Sequence, residues 1–93
     1  MIKTFAQPWL AEFWHTGKHK QVPPDLGPRL LRKMDMLNRA RAHKDLKAPP
    51  GNRLHALHGD RKGQWAISVS GAWRLCFRFE AGDIFDLELV QYH

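Results

Sequence analysis

Apolar positions recur every three or four residues in the first half of the chain and every second residue in the last third. Trp9, Leu10, Phe13 and Trp14 follow a helical period. Pro8 suits a first turn and Gly17 a stop, so a short and very apolar helix is predicted between them. Leu26, Leu30, Met34 and Leu37, spaced 4, 4 and 3 apart, predict a longer second helix. Asp25 is its expected cap and Pro28 belongs in its first turn. Its other side carries Arg29, Arg32, Lys33, Arg39 and Arg41, the pattern of a solvated face, with Asp25 and Asp35 at hand for short-range ion pairs. Pro49, Pro50 and Gly51 end the helical period after room for one helical turn at residues 45–47. The opening MIKTF reads as a short strand.

Beyond residue 53 the period becomes two. QWAISVS turns Trp65, Ile67 and Val69 to one side, and WRLCFRFE sets Trp73, Leu75, Phe77 and Phe79 against Arg74, Cys76, Arg78 and Glu80. IFDLELV follows the turn Ala81-Gly82-Asp83. In LHALH strict alternation separates Leu54 from Leu57 and His55 from His58; a bulge, or a strand ending at Leu57, brings both leucines inward and both histidines toward one side. Tight connections at residues 59–63, at Gly71 and at residues 81–83 argue for an antiparallel meander. The class is α+β, with two N-terminal helices packed on a twisted antiparallel β-sheet meander. A chain of 93 residues has surface for one core, so residues 1–93 are expected to form a single domain.

A content of 43% hydrophobic residues with four tryptophans excludes a disordered chain. The single cysteine, Cys76, cannot form an internal disulfide, and between two aromatic positions of a strand it reads as a buried, inert thiol. The first residues lack the apolar run of a signal peptide or membrane span, so a cytoplasmic protein without a membrane partner is expected. Charge is uneven. All 15 Lys and Arg lie at or before Arg78 with only five acids, a balance of +10, whereas residues 80–93 hold Glu80, Asp83, Asp86 and Glu88, a balance of −4. The net charge of +6 favours a polyanionic partner: nucleic acid, ribosome, an acidic protein or an anionic surface.

The stretch RLHALHGDRKGQW concentrates the chemistry. Arg53, His58, Arg61 and Lys62 are candidate RNA contacts. His55 and His58, with the terminal His93, are imidazoles able to pass protons in opposite directions during RNA transesterification, one taking the ribose 2′-hydroxyl proton and one protonating the 5′ leaving oxygen. Such a reaction needs no metal or other cofactor. A zinc site at His55 and His58 lacks a second ligand pair and sits among cations that repel a dication. His15 and His19 read as surface histidines. Arg74 and Arg78 share the polar side of what should be a central strand, with Asp86 and Glu88 as available carboxylates; Arg78 is the better candidate for structural pairing and Arg74 for function. No GxxxxGK[ST], GxGxxG or GxSxG occurs.

The segments MIKTF, PPDLGPRLLRKMDML, DLKAPPGNRLHALHGDRKGQWAISVSGAWRLCFRFE and the ending VQYH together resemble the HigB, or plasmid-maintenance killer, branch of the RelE/ParE toxin superfamily. The likeness runs over nearly the whole chain. It implies a RelE-like toxin of a type II toxin–antitoxin system, an endoribonuclease acting on mRNA at the ribosome, with a HigA-like helix-turn-helix antitoxin as partner. Carried over by motif, His55, Arg74, Tyr92 and His93 are the expected catalytic residues, and His58 is a basic RNA contact. The chain departs from many relatives at His58, where they carry lysine, and at Gln91, where they carry aspartate. A histidine is only partly charged at pH 7, and a glutamine exchanges no proton. The alternative within the superfamily is a non-catalytic, ParE-like inhibitor of a protein target such as DNA gyrase. A plain RNA-binding module fits less well, because the aromatic positions read as core.

Overall fold

A computed structural model describes residues 1–92 of the chain. Helix α1 spans Pro8–Thr16 and buries Leu10 and Phe13. Pro8 opens it, and Gly17 closes it at φ 81°, a left-handed value natural to glycine, with its N–H donating to the Phe13 carbonyl. Helix α2 spans Gly27–Arg39 and carries Pro28 in its first turn. Asp25 does not cap it: the chain enters through a backbone turn in which the Leu26 and Gly27 N–H groups donate to Pro23 O, and Asp25 stays exposed. Four residues, His43–Leu46, form a further short helix, α3.

Strands β1 (His55–Ala56), β2 (Trp65–Ser70), β3 (Trp73–Glu80) and β4 (Asp83–Gln91) pair in that order, every neighbour antiparallel. The predicted meander is therefore present, with β1 shortened to two residues and a 3₁₀ turn, Gly59–Arg61, in the connection to β2. The opening segment is less than a strand. Ile2 and Phe5 each make a single parallel bridge, to Ile84 and Leu87, which shields the outer edge of β4. The β3–β4 turn is tightly placed: a Cβ on Gly82 would meet the Arg41 carbonyl oxygen at 3.0 Å, and φ there is +82°.

Both helices lie on one face of the sheet. Leu30, Met34 and Leu37 of α2 and Leu10 and Phe13 of α1 share a core with Ile67, Leu75, Phe77, Ile84 and Leu87. Full burial of each such side chain stabilises by about 1.5–3 kcal/mol, and this contact holds the short helices in place. Two irregularities tune which residues enter the core. β2 gains a residue between Ser68 and Ser70, and β4 gains one opposite the Cys76–Arg78 step, where Asp86 adopts φ 56°. The β4 bulge lets Ile84 and Leu87, three apart, both face the helices. The other face of the sheet is left uncovered by helix.

Candidate active site

The strand register lines up the uncovered face. His55 lies opposite Ala66, Ala66 opposite Cys76, and Cys76 opposite Glu88, giving one row across all four strands. Ser68, Arg74 and Val90 form the adjacent row. With strands about 4.8 Å apart, His55 stands about 10 Å from the backbone of Cys76. Sequence alternation on β3 and the register together place His55, Arg74, Cys76 and Glu88 on one side.

His55 is exposed, and its Nδ1 lies 3.0 Å from the Arg53 carbonyl oxygen. A carbonyl oxygen only accepts, so Nδ1 donates, and the lone pair of the neutral ring is carried by Nε2. The backbone of Arg53, at φ 51°, aims that carbonyl. The buried Asn52 anchors the preceding turn, its Nδ2 donating to Leu46 O at 3.2 Å and Ala48 O at 3.1 Å while Lys33 donates to its Oδ1.

At the other end of the face, Tyr92 leaves β4 with its N–H donating to Ala72 O at 2.8 Å, and its hydroxyl lies 3.7 Å from Cys76 Sγ. Burial pushes the Tyr92 phenol up from its ordinary pKa, and the Cys76 contact adds to this, so at neutral pH it is a protonated donor. Burial likewise pushes the Cys76 thiol up, which keeps it neutral and agrees with an inert thiol. Arg74 uses Nη1 on two backbone carbonyls, Gly71 O at 2.6 Å and Trp73 O at 3.0 Å, and its guanidinium carbon is 5.9 Å from the centre of the Tyr92 ring. Neither carbonyl neutralises it. Arg78 is instead held by Glu80 and by Asp86, 2.9 Å from its Nε. Arg78, the better candidate for structural pairing, is thus paired, and Arg74 meets no carboxylate among the described residues.

Of the candidate RNA contacts, Arg53, His58 and Lys62 are exposed. Arg61 is different. Its Nη1 donates to Gln64 Oε1 at 3.0 Å and to Glu88 Oε1 at 2.9 Å, and the Glu88 bond raises the guanidinium's pKa further. Sequence reasoning offered Glu88 as a partner for Arg74 or Arg78 and passed over Gln64. The signal was the parity of Glu88 with Cys76, which becomes readable only once β3 and β4 are in register. His93 lies outside the described residues. His19 corrects the surface reading: its side chain is 13% exposed, packs on the Trp9 ring and has Nε2 3.3 Å from Glu12. An apolar groove where α1 meets α2, lined by Phe13, Val22, Pro24 and Leu31, shares no residue with the sheet-face set.

Residues 3–93 match the family model described as the RelE-like toxin of the type II toxin–antitoxin system HigB. The chain belongs to the HigB-like toxin family. Over 83 residues it is 37% identical to Toxin HigB-1 of Vibrio cholerae, covering 88% of this chain and 87% of that protein. Over the full length of both proteins it is 32% identical to Endoribonuclease HigB of Proteus vulgaris. Among solved structures, a YoeB/ParE toxin from Agrobacterium tumefaciens shares the fold, with a TM-score of 0.54 and 18% identity over 99% of this chain and 96% of the other. This HigB-like toxin thus has the RelE-like architecture that its sequence implied, and no helix among its described residues is long and apolar enough to cross a membrane.

Proposed function

We propose that this toxin cleaves mRNA on the ribosome by attack of a ribose 2′-hydroxyl on the adjacent phosphorus, without a metal ion. His55 Nε2 takes the 2′-hydroxyl proton, the 2′-oxygen bonds to phosphorus, and the bond from phosphorus to the 5′-oxygen breaks. His93, next in sequence to Tyr92, returns a proton to that 5′-oxygen. Arg74 stabilises the extra negative charge of the phosphorane, and the neutral Tyr92 phenol donates to a non-bridging oxygen. Arg53, His58 and Lys62 hold the flanking backbone. The products are a 2′,3′-cyclic phosphate and a 5′-hydroxyl. The observation that carries the reading is the Nδ1 bond of His55 to Arg53 O, which leaves an exposed Nε2 lone pair on the same sheet face as Arg74. Membership in a toxin–antitoxin family supports a HigA-like helix-turn-helix antitoxin as partner and the cytoplasm as the place of action.

The test uses end-labelled mRNA on programmed ribosomes, with product ends typed by phosphatase and kinase. The expected ends are 5′-hydroxyl and cyclic or 3′-phosphate, and deoxyribose at the scissile position should block cleavage. His55→Ala should slow it by about a hundredfold or more. Ends bearing 5′-phosphate, or cleavage of the deoxyribose substrate, would overturn the mechanism. Absence of any cleavage would instead favour a non-catalytic, ParE-like inhibitor of a protein target.

A further inference from the structure

Arg61 and Glu88 form a restrained pair across the face that carries the candidate site. Arg61 belongs to the connection between β1 and β2, whereas Glu88 sits on β4 at the far side of the sheet. The ion pair therefore reaches from one side of the sheet to the other over the row that contains Cys76. Both side chains are partly sequestered, at 35% and 27% exposure, unlike the exposed neighbouring Lys62. Two acceptors, Gln64 Oε1 and Glu88 Oε1, take bonds from the same nitrogen, Nη1. Two fixed acceptors on one nitrogen restrain the plane of the guanidinium, since Arg presents its donors in a rigid fork, and leave its other nitrogens without a hydrogen-bond partner among the described residues.

The charge of Arg61 acts on both Cys76 and Tyr92, as does that of Arg74. The Tyr92 hydroxyl is seated on Cys76, with the Arg74 guanidinium carbon 5.9 Å from the centre of the Tyr92 ring, and the Arg61–Glu88 pair engages the same face through Glu88, the residue opposite Cys76. A cation meant only to attract RNA backbone gains nothing from a carboxylate that offsets its charge. A donor that must meet an oxyanion in one orientation gains from being held before the substrate arrives. Glu88 provides the holding, and with Glu88 engaged by Arg61, Arg74 bonds only carbonyls among the described residues.

We propose that Arg61 is a second phosphate-stabilising guanidinium of this site, on the face that also carries Arg74, and that Glu88 is its positioning residue. The proposal rests on the nuclease reading above and moves Arg61 from the group of backbone-holding cations to the reacting centre. Glu88 touches no substrate in this scheme. It acts through the plane of Arg61.

The experiment measures single-turnover cleavage at saturating toxin on programmed ribosomes, and separately the affinity for the same complex carrying deoxyribose at the scissile position. Arg61→Ala should lower the saturated rate by about a hundredfold, with affinity changed by no more than about threefold. Arg61→Lys should keep the affinity and fail to restore the rate, because an ammonium lacks the fork. Glu88→Ala should lower the saturated rate on the order of a hundredfold through misplacement, Glu88→Gln, which keeps an acceptor for Nη1, should recover part of it, and the double variant Arg61→Ala/Glu88→Ala should be no slower than Arg61→Ala alone. Thermal unfolding of each variant separates these losses from a simple loosening of the turn, and Arg61→Lys carries the test if Arg61→Ala does not fold. A wild-type saturated rate in the Arg61 variants, with loss confined to affinity, would return Arg61 to the RNA-contact group. Additive losses at the two positions would show Glu88 acting independently and overturn its positioning role. Wild-type protein that cleaves nothing would overturn the nuclease reading itself, a result distinct from either.

Discussion

Asn52 is the buried polar side chain on which the site's first histidine depends. Its amide satisfies two carbonyls of the 46–48 segment, its oxygen accepts from Lys33, and the next residue, Arg53, presents the carbonyl that orients His55. Replacing it by alanine strands two carbonyls that face protein, so Asn52→Ala should cost about 2–3 kcal/mol, measured as a shift in the urea unfolding midpoint. A change within about 0.5 kcal/mol would show that water replaces the amide without penalty. At this scale the sequence revealed residue types but not their pairing. His55 was legible as an imidazole in a basic stretch; its tautomer was not, because that is set by a carbonyl brought round by the left-handed turn at Arg53.

Among the elements, α3 is too short to persist on its own propensity, and its entry is held by Asp45. The Asp45 carboxylate accepts from the Arg41 N–H at 3.0 Å and the Ala42 N–H at 3.1 Å, and these two backbone bonds hold its pKa below the ordinary 3.8. A carboxylate whose folded pKa is depressed contributes stability above its unfolded value and loses it as pH falls through the folded one. The difference in Tm between wild type and Asp45→Asn should therefore be largest near neutral pH and close between about pH 5 and pH 2. A gap that stays constant across that range would remove Asp45 from the acid response. The strands teach a related lesson. Alternation placed Leu75 and Phe77 inward correctly, but the β4 bulge at Asp86 reset the parity of that strand, and no local pattern marks the bulge.

For the whole molecule, charge decides association. The chain carries +6, and Arg53, His58 and Lys62 are exposed beside the sheet-face groups, so ribosome or RNA binding should weaken steeply with salt. For about six neutralised phosphates the affinity should fall on the order of a thousandfold between 50 and 200 mM salt. A flat titration of affinity against salt would show that shape and not charge carries recognition. The acidic end of the chain does not cancel this field uniformly, since Asp86 and Glu88 are committed to Arg78 and Arg61.

Local physical chemistry determined much from the sequence alone: helices from their apolar period and proline starts, the meander from its tight turns, the likeness to the HigB family from the order of its motifs. These depend on neighbours a few residues apart, and such neighbours are written side by side. The tertiary structure decided what depends on register. Cys76, silent as a lone thiol in a strand, became the seat of the Tyr92 hydroxyl. Glu88 went to Arg61, 27 residues away, and left Arg74 without a carboxylate among the described residues. A two-residue β1 and two bulges set which side each of these groups faces, because in a sheet a shift of one residue exchanges the buried and open faces.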